Sequence, residues 1–168
     1  KVGVSVYGEI VGHLPSGKMI QPKYDYGCEF GKHDVYVYKI TTTNTNGDVI
    51  EFNHDQVKNW CNKYGVKMVQ EYYIGKAKDL FPELDIHNHW NENFLNKMID
   101  TYLEKGCDLC KSEPKIPAEG VVLKIDDSPE IEAFKLKSFK FLTGESAALD
   151  SGEVDIETAQ TEEAENYE

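Results

Sequence analysis

The sequence predicts an α+β fold built on antiparallel sheet. Segments with strand character lie toward both ends of the chain, and two helical segments lie between them. The strands follow one another through turns without regular helical crossovers, which favours antiparallel pairing over a parallel βαβ sheet. At 168 residues the chain has the length of one ordinary domain with its own core.

The N-terminal half carries clear strand signals. KVGVSVYGEIVG alternates so that Val2, Val4 and Val6 share one face. DVYVYKITTT is rich in β-branched and aromatic residues, and it is followed by NTNGDVIEF. The Asn46-Gly47 pair in that segment is typical of a tight hairpin turn. We therefore expect a long first strand and a hairpin after it.

A glycine-rich stretch, GHLPSGK, has the glycine and lysine spacing of a phosphate-binding loop. Its context does not fit that function. Met19 stands where a hydroxyl residue would meet magnesium, Pro15 lies inside the loop, and no helix follows to offer its N-terminus. We expect a surface hairpin.

Two amphipathic helices are predicted in the middle of the chain. Val57, Trp60, Cys61 and Tyr64 recur at helical spacing, and Gly65 stands where a C-terminal cap belongs. The second helix has one apolar stripe, which indicates core packing in preference to a cofactor site. Its members are Trp90, Phe94, Leu95, Met98, Ile99, Tyr102 and Leu103.

Two further strands are predicted near the end, Gly120 to Ile125 and Ile131 to Phe139, joined by the turn-rich DDSPE. Residues two apart on a strand share a face, so Lys135, Lys137 and Phe139 are expected to point the same way. A solvated lysine face over a buried apolar face would explain this pattern without any ligand.

A carboxylate gives these lysines a second interpretation. Glu119 precedes the first of the two strands, and the short connection places it near Lys135 and Lys137. One carboxylate for a magnesium ion and two ammonium groups for an α-phosphate suit nucleotidyl transfer. The reason is that negative charge builds on the phosphorus oxygens in the transition state.

His87, His89, Cys107 and Cys110 form an HxH pair and a CxxC pair, the ligand types of a tetrahedral zinc site. The two pairs flank the second helix, whose rise of about 1.5 Å per residue could hold them apart. A structural zinc is therefore the less favoured interpretation. The other two cysteines are expected to be reduced thiols, because no secretory leader is visible.

Charge is concentrated at the C-terminus. The net charge is -12, yet the first 140 residues hold 21 acidic residues against all 18 basic ones. Residues 146–168 form an acidic segment that we expect to be disordered, since it has few large apolar side chains. Every basic residue is lysine, so phosphate or RNA contacts must come from lysine, polar groups and stacking. No apolar run is long enough to span a bilayer, and we expect a cytoplasmic protein without membrane contact.

Four stretches resemble a known set of motifs. EGVVLK and FKLKSFKFL resemble motifs IV and V of the covalent nucleotidyltransferases. VYGEIVG, Val6 to Gly12, resembles motif III with its aromatic-Gly-Glu core, and DVYVYKI, Asp34 to Ile40, resembles motif IIIa. Their order is that of the family, and the chain is most similar to phage-type ATP-dependent RNA ligases. The resemblance implies a partial nucleotidyltransferase fold over residues 1–145.

The resemblance also implies roles for individual residues. Glu9 would contact the ribose or a metal-bound water, and Tyr38 would stack on adenine. Glu119 would help to bind Mg²⁺, while Lys135 and Lys137 would contact the phosphate of AMP. Without the family, Tyr38 is equally well a plain sheet aromatic and Glu9 an exposed acid at a strand end.

Two positions and one missing motif do not follow the family pattern. Lys39 stands where many relatives have an acid, and the strand parity of Lys124 puts it opposite Glu119. No Lys-x-Asp-Gly motif, which supplies the nucleophilic lysine, occurs in the 168 residues. The sequence is thus interpreted as the C-terminal part of an adenylyltransferase domain, marginally stable and inactive alone, whose nucleophile lies in a missing upstream segment.

The implied activity is RNA repair: joining RNA 5′-phosphate and 3′-hydroxyl ends with ATP and Mg²⁺, in the host cytoplasm if the protein is viral. Two alternatives stay open. A non-catalytic module with a ligase-like fold would bind nucleotide or RNA and form no covalent intermediate. A plain structural α+β domain would bind no nucleotide.

Overall fold

The computed structural model describes residues 2–111, 114–126 and 131–150. These residues form a four-stranded sheet, a separate two-stranded sheet and four α-helices. All strand pairs but one are antiparallel. The predicted α+β class is therefore confirmed.

The larger sheet is centred on one long strand. Strand β2 (His33–Thr43) pairs along its whole length with β1 (Gly3–Gly12). It also pairs antiparallel with β3 (Val49–Glu51) and parallel with the short β4 (Lys67–Met68). The predicted turn joins β2 to β3, where the amide of Gly47 donates to a carbonyl three residues earlier at 3.1 Å.

The GHLPSGK stretch is a hairpin turn, as predicted. The Leu14 amide donates to the Lys18 carbonyl at 2.8 Å, and the Gly17 amide donates to the Leu14 carbonyl at 2.8 Å. His13 and Met19 form a β-bridge beside them. The backbone amides of Leu14 and Gly17 are therefore already bonded within the turn.

Helix α1 (His54–Tyr64) ends where the sequence predicts. Asn53 and Gln56 form a capping box, each side chain accepting from the backbone amide of the other. Gly65 ends the helix in the left-handed conformation. The buried face of α1 covers one face of β2, where the cluster consists of Val37, Ile40, Val57 and Cys61.

The apolar stripe of the second predicted helix forms another cluster. Helix α2 is the single turn Ala77–Leu80, and α3 (Trp90–Met98) continues into a π-helical turn, Ile99–Leu103. Phe94 and Met98 are buried against Phe81. Most of the stripe is core, as predicted, but the exposed side chains of Leu95 and Ile99 lie outside it.

The C-terminal strands form a hairpin of β5 (Gly120–Ile125) and β6 (Glu132–Lys137). Val121 and Leu123 pack on the α3 cluster. The second strand is shorter than predicted, because Phe139 begins helix α4 (Phe139–Asp150) and does not continue the lysine face.

Ser138 explains why the strand stops. Its hydroxyl accepts from the Phe141 amide at 3.2 Å, and its carbonyl accepts from the Leu142 amide at 3.1 Å. A serine at this position caps a helix and competes with extension of the strand. Helix α4 enters the first five residues of the predicted tail; the rest of that tail, 151–168, lies outside the described residues.

The cysteines correct one expectation. Cys107 and Cys110 form a disulfide with each other, so neither thiolate is available to the zinc site considered with His87 and His89. Across residues 2–111, 114–126 and 131–150, no three His, Cys, Asp or Glu side chains are grouped to hold a metal ion. Cys28 and Cys61 are free thiols, as predicted.

Several apolar side chains stay outside the core. Val4 and Val6 share one face of the edge strand β1, as predicted, and are 53% and 45% exposed; Val2, just before the strand, is 65% exposed. Among the described helices, none has the length and apolar character needed to cross a bilayer.

Candidate functional site

The carboxylate of Glu119 is held by two side chains from a distant turn. Its Oε1 atom accepts a hydrogen bond from Gln21 Nε2 at 2.7 Å and one from the Tyr26 hydroxyl at 2.7 Å. The same hydroxyl lies 2.7 Å from Gln21 Oε1. No described residue donates to Oε2 of Glu119. One oxygen is thus held by two donors, and no hydrogen bond from the described part of the chain occupies the other.

The backbone around Glu119 is fixed as well. The Tyr24 hydroxyl donates to the Pro117 carbonyl at 2.8 Å, and the Ala118 amide donates to the Lys105 carbonyl at 2.8 Å. The Glu119 carbonyl itself accepts from the Ser138 amide at 2.8 Å. The segment before β5 is therefore tied to three separate parts of the chain.

Gly120 sets the direction of Glu119 relative to the hairpin. Its φ is +146°, a conformation open essentially to glycine. A Cβ at this position would lie 1.9 Å from the Leu136 carbonyl oxygen. Glycine thus lets β5 approach β6 closely, while the chain bends away from regular strand geometry just after Glu119.

The lysines of the hairpin lie on one face of it. Antiparallel partners share a face, and Lys137 is opposite Gly120, Lys135 opposite Val122, and Lys124 in line with both. We call Lys124, Lys135 and Lys137 the lysine face. It lies opposite the face that packs on α3. The sequence pattern placed Lys124 on the face opposite Glu119, which holds for a regular strand. It did not reveal that Lys124 lies on the same face as Lys135 and Lys137.

The three lysines differ in their partners. Lys137 pairs with Glu145 of α4 at 3.2 Å, and its Nζ lies 5.3 Å from the centre of the Phe141 ring. Lys124 donates to the Tyr38 carbonyl at 2.8 Å and lies 3.7 Å from Glu51. Lys135 is exposed and forms no ion pair with any acid in the described part of the chain.

Tyr38 lies at a bulge that brings the two sheets together. The register passes from Tyr7 opposite Lys39 to Gly8 opposite Val37, so Tyr38 has no partner across the sheet. Its side chain is 38% exposed. Because its carbonyl accepts from Lys124, the bulge is joined directly to the lysine face.

Lys39, the departure from the family pattern, has a local acid. It pairs with Glu51 at 2.7 Å, and this hydrogen bond raises the pKa of Lys39. Glu51 thus lies between Lys39 and Lys124. Its single negative charge is shared between two ammonium groups, so these three side chains together carry a net charge of +1.

The charges of Glu9 and Glu119 both act on the pKa of the same tyrosine, Tyr26. Burial is the main reason why the pKa of Tyr26 is raised, and the charges of Glu119 and Glu9 raise it further. The pKa of Tyr24 is raised to about 12 by burial and then by Glu119 and Glu145. Both hydroxyls therefore stay protonated near neutral pH and remain hydrogen-bond donors.

The predicted site residues are thus partly assembled. Glu119 and Glu9 lie near the same tyrosine, Tyr38 is joined to the hairpin through Lys124, and Lys135 and Lys137 share the lysine face. Sequence reasoning missed Gln21, Tyr24, Tyr26, Glu51 and Glu145 as partners of these residues. The signal for two of them was the Tyr-Asp-Tyr triplet in QPKYDYG, since tyrosines buried in a turn need hydroxyl partners.

The arrangement fits a magnesium ion bound together with a phosphate. Mg²⁺ is commonly held by one or two carboxylates plus substrate phosphates and water, so it does not require a three-residue cage. Glu119 offers one open carboxylate oxygen. Lys135 lies on the neighbouring strand, opposite Val122, and its ammonium group has no acid partner in the described part of the chain.

Two comparisons with known proteins bear on the family of this chain. No curated protein matches the sequence. A family model described as RNA ligase matches residues 1–142. That range contains the Glu119 site, the lysine face and the Tyr38 bulge. Since the match spans most of its 168 residues, the chain belongs to the RNA ligase family.

Proposed function

We propose that this chain is the metal- and phosphate-binding part of an ATP-dependent RNA ligase of the phage type. The ligase joins RNA 5′-phosphate and 3′-hydroxyl ends. The observation that carries the proposal is the carboxylate of Glu119, with one oxygen fixed and one open, next to a hairpin whose lysines share one face.

The chemistry takes place in three steps. A lysine amine attacks the α-phosphorus of ATP and takes AMP while pyrophosphate leaves, the AMP passes to an RNA 5′-phosphate as the lysine amine leaves, and a 3′-hydroxyl then attacks that phosphate, releases AMP and seals the strand. Charge grows on phosphate oxygens in each step, so fixed positive groups accelerate all three. Lys135 and Lys137 supply these groups here, and a magnesium ion at Glu119 would neutralise further phosphate charge.

The remaining residues bind the nucleoside. Tyr38 is proposed to stack on adenine, and its partial exposure leaves the ring accessible. Glu9 is proposed to contact the ribose or a metal-bound water. The nucleophilic lysine is proposed to come from outside these 168 residues, since no Lys-x-Asp-Gly motif occurs within them.

The second candidate is a binding module with no covalent step. The missing Lys-x-Asp-Gly motif is the observation that favours it. Such a module would bind ATP or RNA through the same residues and would never carry AMP covalently.

Intact mass after incubation with ATP and Mg²⁺ tests the two candidates. The chain is measured alone and together with the polypeptide encoded upstream of it. The ligase proposal expects a gain of one AMP on the upstream polypeptide, lost with Glu119→Gln or Lys135→Ala and kept with Lys58→Ala on α1. A gain on this chain alone would show that another lysine is the nucleophile. No gain on either polypeptide, with ATP still bound, would favour the binding module.

A further inference from the structure

The environment of Glu119 contains two groups that the reaction itself does not use. Gln21 and Tyr26 lie in the turn that follows the GHLPSGK hairpin, 98 and 93 residues from Glu119 in sequence. Both place a donor on the same oxygen of the carboxylate. Gln21, Tyr26 and Glu119 are called the Glu119 clamp below.

The clamp restricts rotation of the carboxylate. A glutamate side chain has three rotatable bonds, and its carboxyl group is otherwise broadly distributed about the last one. Two donors on Oε1, from side chains that also contact each other, restrain the position of this oxygen and hence the rotation of the group.

The turn that carries the clamp is itself rigid. The rings of Tyr24 and Tyr26 stack with centroids 5.7 Å apart, and Tyr24 packs edge-on against Phe141 of α4. The carboxylate of Asp25 between them accepts from the Gly27 amide at 2.9 Å and from the Lys111 amide at 3.1 Å. A donor placed on such a support holds its acceptor in one position.

We infer that Gln21 and Tyr26 are positioning residues that orient Glu119 for a divalent cation, an inference that rests on the proposed function. Partners of this kind fix a ligand in place without touching the metal, and their loss commonly costs about 10–100-fold in metal affinity. Tyr24 has no such role, because its hydroxyl bonds the Pro117 carbonyl and not the carboxylate.

Mn²⁺-induced line broadening in ¹⁵N-labelled full-length chain tests this inference, with Mn²⁺ alone as the probe. The wild type should show selective broadening of the Glu119 and Gly120 amides. Tyr26→Phe and Gln21→Met should each require about 10-fold more Mn²⁺ for the same broadening. Tyr73→Phe is the control, since it removes a tyrosine hydroxyl that bonds a backbone carbonyl outside the clamp, that of Lys76, and it should titrate like the wild type.

The outcomes separate the inference from the proposed function. If Glu119→Gln removes the broadening while Tyr26→Phe and Gln21→Met leave it unchanged, the metal role stands and the clamp inference is wrong. If the wild type shows no broadening near Glu119, or if Glu119→Gln has no effect, the metal role itself fails and the clamp fails with it. Circular dichroism melts of each variant identify any that does not fold; if one of the two clamp variants is lost in this way, the other decides.

Discussion

Replacement of Gly120 by alanine is the sharpest test of how the hairpin positions Glu119. The added Cβ would lie 1.9 Å from the Leu136 carbonyl oxygen, whereas real Cβ contacts essentially never fall below 3.0 Å. The two strands must therefore move apart by about 1.1 Å, the difference between these distances. The obstacle is backbone, so no side-chain rotation can relieve it.

The loss of folding free energy caused by Gly120→Ala has two parts. A non-glycine residue at a φ of +146° costs on the order of 1–3 kcal/mol, and the forced strand separation adds to it. We expect Gly120→Ala to lower the free energy of unfolding by at least about 2 kcal/mol. This corresponds to a decrease in Tm of at least about 4–8 °C for a domain of this size. A displacement of about 1 Å at Glu119 should also lower the adenylylation rate by on the order of 100-fold.

Thermal melting followed by circular dichroism measures the first effect. Hydrogen exchange of the Ser138 amide measures the displacement at Glu119, because this amide donates to the Glu119 carbonyl and should lose protection in the variant. Gly3→Ala is the matched control, since nothing lies within 4 Å of its added Cβ. A Gly120→Ala protein that melts within 1 °C of the Gly3→Ala protein and keeps Ser138 protected would refute the geometric argument.

Two other predictions concern charged groups. Glu145→Gln should release Lys137 from an ion pair worth about 0.2–1 kcal/mol and so tighten AMP binding by about 1.4–5-fold. Calorimetric titration checks this, with Glu83→Gln as a control on another exposed ion pair; equal affinities in all three proteins would contradict it. Burial acts to raise the pKa of Asp25, but hydrogen bonds from two backbone amides and nearby positive charges outweigh it and hold this pKa below its usual value. The ionised form therefore stabilises the fold above the unfolded pKa of about 3.9, and this contribution disappears as the pH falls through the lower folded pKa. Asp25→Asn should cost about 1 kcal/mol at pH 7 and flatten the loss of stability between about pH 5 and 2; parallel pH profiles for variant and wild type would show that Asp25 contributes nothing.

Local patterns in the sequence determined most of the secondary structure. The capping box and Gly65 fix both ends of α1, because caps act within one turn of the residues they satisfy. The end of β6 was harder to place. The apolar alternation of the sequence continues through Phe139. In the structure the strand ends at Lys137, and the amide of the buried Ser138 that follows donates to the Glu119 carbonyl.

The candidate site was predicted in its residue types and not in its contacts. Glu119, Lys135 and Lys137 could be proposed as site residues because strand periodicity and motif order are properties of short segments. The clamp could not be found in this way, since Gln21 and Tyr26 reach Glu119 across more than 90 residues, and nothing in local sequence encodes which distant turn will meet it. The same holds for the disulfide, where a CxxC spacing is equally compatible with metal binding and only the fold decides.

The sequence by itself thus determined the α+β class, the hairpins, the two central helices and the acidic and basic groups available for phosphate chemistry. Tertiary structure decided which oxygen of Glu119 is open, that Lys124 joins the lysine face, and that Lys137 is paired with Glu145. The physical reason is the sequence distance over which the deciding interactions act. Backbone conformation follows from interactions over a few residues, whereas the direction of a side chain depends on donors and charges that folding brings from far along the chain.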